Sequence, residues 1–422
     1  MSGSLLSDEL VRALMAVGQV DVLVGVPTLN NASTIQSVVT AVSDAFARFF
    51  PRERTLLLNS DGGSTDDTPA LVRSMKNDPG TVTVFHRLRT EHRISTPYHG
   101  LPGKGSALRQ ILTVAELTQA KAVAVLDAEV TTLTPESIAA LIQPVRYQQF
   151  DYVAPVYARH PADGPLISQL IRPLVRAAYG WQVREPLAAE FGCSHKFLAH
   201  CLEQNVWESD LAQYGIDLWL TGTAFAGGFS CCQAPLGVRH VQASPDRPGF
   251  AETFEQVVGA TFNCLERHAP YWLERTASQP LPVIGARVDD AAEVPPIDGA
   301  RLSESFCTDL SNLQDVLQSL LAPETLRRLN AAANDCTPLR IPDELWANTA
   351  YEFLLAHHRG VIRREHVPRA LASLYLGRAG SFLTQYGAAP AEQAEAALES
   401  LCLQFERSKS IVADRWNQSS PR

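Results

Sequence analysis

What this sequence lacks already narrows its class. No apolar run approaches the roughly 18–20 residues that a membrane helix needs, so no membrane span is expected. Basic charge is not in excess: 36 Lys and Arg stand against 45 Asp and Glu, a net charge of -9. Without a clustered basic surface, nucleic acid is excluded as a main partner. Acidic balance still permits a phosphate-bearing ligand, because a bound divalent cation can provide the local positive charge. The eight cysteines (193, 201, 231, 232, 264, 307, 336 and 402) include no CxxC pair, and two of them are adjacent. That suits neither a disulfide framework nor a zinc site, and scattered reduced thiols in a cytoplasmic protein are expected. Residues 1–18 show no basic segment followed by an apolar one, so no secretory signal is expected. Internal repeats and low-complexity tracts are missing too.

What is present is a chain of 422 residues with 45% apolar and 19% charged residues, enough for a proper core and for two domains. The first part alternates strand and helix patterns. Short β-rich runs at Val22–Val26, Thr55–Leu58, Val82–Phe85, Ala122–Leu126 and Tyr152–Tyr157 are separated by helical spacing at Thr34–Phe50, Thr68–Met75, Ser106–Leu117 and Thr134–Val145. Ser33 is a candidate cap for the first of these helices. Such alternation predicts an α/β fold, a mostly parallel sheet with helices on both faces. Ligands of such sheets lie beyond the carboxyl ends of the strands. A linker around Val288–Gly299 carries acidic residues and Pro295–Pro296, and beyond it Leu302–Trp416 reads as almost wholly helical. The expected domains are 1–287 and 300–422, with the helical one supporting a homodimer.

Three strand ends carry candidate chemistry. After the first run comes Pro27-Thr28-Leu29-Asn30-Asn31, after the second Asp61-Gly62-Gly63-Ser64-Thr65-Asp66-Asp67-Thr68, and after the fourth Asp127-Ala128-Glu129. Two acids one residue apart beyond a buried strand can offer hard oxygen ligands to Mg²⁺ or Mn²⁺, which would bridge a diphosphate. The plainer readings are a solvated loop for Asp-x-Glu and a turn with a helix cap for the Gly-Gly-Ser-Thr-Asp-Asp-Thr segment. The His357-His358 pair lies in the helical tail, and adjacent helix residues do not face one another, so it reads as surface or packing.

The order of these motifs, with Gly103-Lys104-Gly105 between the second and the last, resembles the GT-A glycosyltransferases that use nucleotide sugars. The resemblance is closest to the glucosyl-3-phosphoglycerate, glucosylglycerate and mannosylglycerate synthases. It continues through Leu170-Ile171-Arg172-Pro173-Leu174, Pro186-Leu187-Ala188-Ala189-Glu190-Phe191, Tyr214-Gly215-Ile216-Asp217 and Leu236-Gly237-Val238-Arg239-His240. It covers about residues 20–280. It implies that Pro27, Thr28, Leu29 and Asn31 line a nucleoside pocket, where the family often has an acid in place of Asn31. Asp61 and Gly62 would hold the base and ribose side, with Asp127 and Ala128 completing the donor site, and Lys104 would reach a donor phosphate. Glu129 takes a metal-ligand position that is usually Asp in the family, with His240 as a further ligand of Mg²⁺ or Mn²⁺. Glu190 and Asp127 are the implied catalytic groups, Glu190 at the transferred hexose, and Asp217 lies on the acceptor side.

The resemblance thus implies hexose transfer, with retention, from a nucleotide-sugar donor to a small hydroxy-acid acceptor. The 3-phosphoglycerate-using members carry a Gly-Arg-Val-Thr segment where this chain has Gly164-Pro165-Leu166-Ile167-Ser168. An Arg can grip a phosphate with two parallel hydrogen bonds, and its loss argues for free D-glycerate. Ser168 and Arg159 are the candidate acceptor contacts. Three other readings stay open: a glucosyl-3-phosphoglycerate synthase, a sugar-1-phosphate nucleotidyltransferase, and a non-catalytic carbohydrate-binding protein. The second lacks its usual glycine-rich basic loop after the first strand.

Overall fold

The computed structural model describes residues 6, 8–74, 81–87, 104–187, 189–209, 211–212, 215–239, 249–286, 297–334 and 338–418. Its strands are, in chain order, β1 (Val22–Thr28), β2 (Thr55–Asp61), β3 (Thr81–Arg87), β4 (Ala122–Val125), β5 (Tyr152–Ala158), β6 (Trp181–Gln182), β7 (Phe191–Ser194), β8 (Cys231–Val238) and β9 (Gln279–Pro280). Two compact units emerge. One comprises 1–158, 187–239 and 281–290, the other 159–186, 240–280 and 291–422.

The first unit is built on a seven-stranded sheet in the order β3-β2-β1-β4-β7-β5-β8. The expected parallel pairing holds from β3 to β4 and again between β5 and β8. β7 departs from it, lying antiparallel between β4 and β5. No apolar alternation announces its four residues, Phe-Gly-Cys-Ser. Gly192 is required there, since a Cβ would stand 2.1 Å from the Leu141 carbonyl oxygen. β4 is buried on both faces, as expected of a central parallel strand. Helices Ile35–Phe49 and Pro135–Gln148 pack on one face, burying Val38, Val42, Phe46, Ile138 and Ile142 with Val24, Leu57 and Ala124. The helix Lys104–Leu117 approaches β1 so closely that a Cβ on Gly25 would meet Ile111 at 2.4 Å.

The helix after β1 starts later than Ser33 suggested. Thr34 takes the N-cap position without a side-chain cap bond. The amides of Thr34 and Ile35 donate to the Asn31 carbonyl instead, at 3.0 and 2.9 Å. The strand-end loop therefore does the capping.

The second unit is helical, as the sequence of the tail predicted, with helices at Gly299–Asn312, Gln314–Leu320, Pro323–Asn334, Asp343–Arg359, His366–Tyr386 and Ala391–Trp416. It also takes in Arg172–Tyr179 and Phe250–Arg267, so the expected single boundary near 287–300 is replaced by an interleaved one. The cause is packing between residues remote in sequence: Phe250 and Phe254 stack with Tyr375, and the π-turn Ile167–Ile171 is held by Trp346 and Arg378, both bonded to Gln169. His357 is buried against Phe262, and His358 stacks on Trp416 and bonds Glu266, so this pair is packing. Cys193, Cys201, Cys231, Cys232, Cys264 and Cys402 are free and buried. Cys307 is disulfide-bonded, which corrects the expectation of reduced thiols throughout; spacing in sequence does not register which thiols the fold brings together. Among the described residues, no helix is long and apolar enough to cross a membrane.

Candidate functional site

The ends of β1 and β2 are knitted into one rigid platform. Asp61 ends β2 and is buried, and its carboxylate accepts from the Thr28 hydroxyl (3.1 Å), the Ser64 hydroxyl (2.5 Å) and the amides of Gly63 (3.1 Å) and Ser64 (3.0 Å). Asn59 donates to the Thr28 hydroxyl at 2.9 Å. Across the loops, Asn30 donates its amide to the Ser64 hydroxyl (2.8 Å) and accepts from the Thr65 amide (2.9 Å). Asn31 donates its amide to the Thr68 hydroxyl, and Ala32 donates to Asp66. Asn30 sits at φ 58, a left-handed conformation that Asn tolerates better than most residues. Gly62 donates its amide to the Thr28 carbonyl at 2.7 Å. The Gly-Gly-Ser-Thr-Asp-Asp-Thr segment is thus the turn that its composition suggests, and it also fixes the neighbouring loop.

Beyond β4 the chain turns at Asp127-Ala128-Glu129. One Asp127 oxygen accepts the Glu129 amide at 3.0 Å and the other accepts Arg239 Nη2 at 2.7 Å. Arg239, just past β8, also donates to Glu190 Oε2 and, at 3.0 Å, to the Tyr157 hydroxyl. Tyr157, near the end of β5, donates to the same Glu190 oxygen at 2.5 Å, and its ring lies 5.2 Å from the guanidinium. Glu190 is fully buried, and its Oε1 has no partner among the described residues. Burial pushes the Glu190 carboxyl above its ordinary range, against the pull of Arg239, with Asp127 adding to the rise. Burial works against the Arg239 charge, but Tyr157, Glu190 and Asp127 together hold its pKa above the usual value.

A second acid–base pair stands beside this one. Lys104, the first residue of its helix, is ion-paired with Asp217 near the start of Ile216–Ala226. Burial raises the Asp217 pKa, Lys104 opposes that rise, and Asp127 and Arg239 are close enough to contribute. Gly105 lets the helix approach, since a Cβ there would stand 2.0 Å from the Ala212 carbonyl oxygen.

These elements surround a cavity of about 170 Å³ at the carboxyl ends of β1, β2 and β4. Pro27, Thr28, Leu29, Asn31, Gly62, Lys104, Asp127, Ala128 and Glu129 all line it, together with Ala107, Val125, Leu126 and Ala189. Part of the lining is apolar (Pro27, Leu29, Val125, Leu126) and suits a flat ring; the Asp127–Glu129 turn and the Lys104 ammonium suit a metal-bound polyanion. Glu129 is exposed, and among the described residues no protein group claims its carboxylate.

The other expected residues are not part of the lining. Asp61 is underneath the platform, its oxygens taken by protein donors. Glu190 is bonded by Arg239 and Tyr157 and is outside the lining. Ser168 is buried in the π-turn of the second unit, and Arg159 of the same unit is ion-paired with Glu185 at 2.5 Å. His240 lies outside the described residues, and among those described no cluster of three or more metal-binding side chains forms. The sequence reading missed Tyr157 and the role of Arg239. Both stand at strand ends, the position that marked the other candidates, and Arg239 directly precedes the candidate ligand His240.

No protein-family model matches the chain, and no curated protein does. Solved structures of glucosyl-3-phosphoglycerate synthase from Mycobacterium tuberculosis are similar to it. One, in complex with Mn²⁺, UDP and glucosyl-3-phosphoglycerate, is 23% identical over 63% of this chain and 85% of its own, with a TM-score of 0.43. Another, with Mn²⁺, UDP-glucose and phosphoglyceric acid, is 23% identical over 64% and 85%, TM-score 0.43. A third, with Mg²⁺ and UDP, is 24% identical over 61% and 83%, TM-score 0.43.

Proposed function

We propose that this chain is a nucleotide-sugar-dependent glycosyltransferase that moves a hexose, with retention, to D-glycerate or a closely related small hydroxy acid. One observation carries the reading: the cavity at the strand ends gathers the apolar, acidic and basic residues that a nucleoside, a metal-bound diphosphate and its charge would need. The nucleoside sits between Pro27 and Leu29 on one side and Val125 and Leu126 on the other, with Thr28, Asn31 and Gly62 at its polar edge. Asp61 acts indirectly, by holding the loop that carries Gly62.

A divalent cation fits the rim, because Glu129 offers a hard carboxylate there that no described group neutralises. Glu129 would hold it, with His240 as the further ligand implied by the resemblance. Such an ion supplies charge neutralisation for the leaving diphosphate. Lys104, oriented by its ion pair with Asp217, adds a donor to a phosphate oxygen. Asp127 and Glu190 are both engaged by Arg239, and they serve the reaction by fixing this end of the cavity.

The acceptor is the finer part of the proposal; the resemblance puts Asp217 on its side and leaves Ser168 and Arg159 as candidate contacts. Arg159 and Arg172 are the cations that could replace the missing phosphate-gripping Arg. They are engaged by Glu185 at 2.5 Å and Glu395 at 2.8 Å. A phosphate deprived of charge-assisted hydrogen bonds loses about 1.5–3 kcal/mol for each. Free glycerate is therefore preferred over 3-phosphoglycerate by about tenfold or more in kcat/KM, since 1.4 kcal/mol corresponds to one decade.

The test is a panel of UDP-, GDP- and ADP-hexoses with Mn²⁺ and each acceptor, products read by mass spectrometry and anomeric configuration by NMR. Transfer from one donor, with an α-linked product and a preference for glycerate, is the expected result. Pyrophosphate-dependent formation of a nucleotide sugar would point to a nucleotidyltransferase. Donor binding without turnover would point to a binding protein.

A further inference from the structure

Arg239 has an arrangement that neither hexose binding nor packing alone accounts for. Its planar fork bonds two carboxylates at once, Nη1 to Glu190 and Nη2 to Asp127, in a fixed geometry that a flexible ammonium does not reproduce. Glu190 is fully buried. Burying a carboxylate costs several kcal/mol unless it is well paired, and here both of its donors, Tyr157 and Arg239, converge on one oxygen. Tyr157 in turn accepts from Arg239, so the guanidinium is held at its back by a closed triangle. At its front it holds Asp127, whose remaining bonded oxygen takes the Glu129 amide. The chain of contacts therefore runs from the buried core to Glu129, whose carboxylate no group claims among the described residues.

We infer that Arg239 is a positioning residue: anchored by Glu190 and Tyr157, it clamps Asp127, fixes the Asp127-Ala128-Glu129 turn and so presents Glu129 to a divalent cation. The inference rests on the metal-dependent reading above and assigns Glu190 to the anchoring of that turn, away from contact with the transferred sugar. Its logic is that of groups outside a metal's own ligands, whose loss typically weakens metal affinity about 10–100-fold. Arg239 suits the task because its charge is already balanced by two acids and does not oppose an incoming cation.

The experiment titrates Mn²⁺ alone into the full chain, following free Mn²⁺ by electron paramagnetic resonance, with melting curves recorded in parallel. Arg239→Gln should weaken Mn²⁺ binding about 10–100-fold, and Arg239→Lys should fail to restore it. Asp127→Asn keeps an acceptor for the Glu129 amide but loses the ion pair, and should fall between wild type and Arg239→Gln. Tyr157→Phe removes one anchor bond and should show the smallest loss; it also serves if the charge variants do not fold. Mn²⁺ affinity within about threefold of wild type in folded Arg239→Gln or Tyr157→Phe and Asp127→Asn, whatever the melting shift, would leave the clamp purely structural and overturn the inference. If the wild-type protein also transfers hexose, only the inference falls. A wild-type protein that binds no Mn²⁺ would overturn the inference together with the metal reading.

Discussion

Arg239 in the first unit and Arg176 in the second are near twins in chemistry. Each is a largely buried guanidinium between two glutamate or aspartate side chains. Arg176 bonds Glu399 through both terminal nitrogens (2.6 and 2.8 Å) and Glu406 through Nε (2.7 Å). Both of its acids project from the same long helix, Ala391–Trp416, two turns apart, so it staples the helix Arg172–Tyr179 to that helix. The acids of Arg239 come from the loop after β4 and the residue before β7, and one of them continues to a cavity-lining turn. A buried Arg between two acids therefore says little about function by itself. What separates the two is what carries the acids: one long helix in one unit, and in the other a turn, at Asp127, that lines a cavity.

The largest expected effect tests the cavity end of this contrast. Glu129→Ala should lower hexose transfer by at least about 100-fold, because a metal supplies several kcal/mol of charge stabilisation. Its melting temperature should match wild type, since an exposed strand-end loop tolerates change. Transfer near the wild-type rate, or undiminished transfer in EDTA, would remove the metal from the account.

The next expectation exchanges the two arginines. Arg176→Met should cost about 2 kcal/mol in denaturant unfolding, below the 3–5 kcal/mol of a fully buried pair because Glu399 is half exposed. Its kcat/KM per folded molecule should be unchanged. Arg239→Met should lose activity out of proportion to stability. Equal losses of both kinds in both variants would erase the distinction.

The two units should also answer pH in opposite senses. In the second unit, burial lowers His357 and His268 from 6.5 to about 4. A base depressed on folding contributes stability that is complete above pH 6.5 and lost as pH falls toward 4, because the unfolded chain then binds more protons. In the first unit, burial raises Glu190 and Asp217 above the usual carboxylate range. Their contribution is greatest below the ordinary carboxylate pKa and is lost as pH rises through the folded values. Unfolding free energies measured between pH 7 and 5 should fall in wild type and fall less in His357→Gln. An identical slope in the variant would contradict the assignment.

The smallest effect is expected at the platform. Asn30→Gly keeps the left-handed backbone but removes the acceptor for the Thr65 amide. It should cost about 1 kcal/mol of stability and raise the donor KM a few-fold. A donor KM equal to wild type would show that the two loops need not be tied to each other for binding.

Much of this was legible in the sequence because strand ends are marked locally. Val22–Val26 and Ala122–Leu126 are β-rich runs, and whatever follows such runs in an α/β fold faces the ligand. Hence Pro27, Thr28, Leu29, Asn31, Gly62, Lys104 and the Asp127–Glu129 turn were identifiable, and they do meet at one cavity. Burial was not legible. Asp61 and Glu190 read as ligand contacts; the fold adds that Asp61 accepts four protein donors and that one oxygen of Glu190 accepts from Tyr157 and Arg239. Only the fold shows which partners reach a carboxylate first. Nor was β7 legible: four residues with a Gly at the second place give no period, and their strand exists because β4 and β5 both offer an edge. The same holds for the interleaved units, which depend on contacts such as Phe254 with Tyr375 and Arg176 with Glu399 across more than a hundred residues.

The most direct test of the central claim is calorimetric titration of UDP, GDP and ADP into the protein, each with Mn²⁺ and with EDTA. The account predicts that one of these nucleotides binds with Mn²⁺, that EDTA weakens it at least about tenfold, and that Glu129→Ala loses this metal-dependent part. Failure of all three to bind, or binding that EDTA and Glu129→Ala leave unchanged, would contradict it.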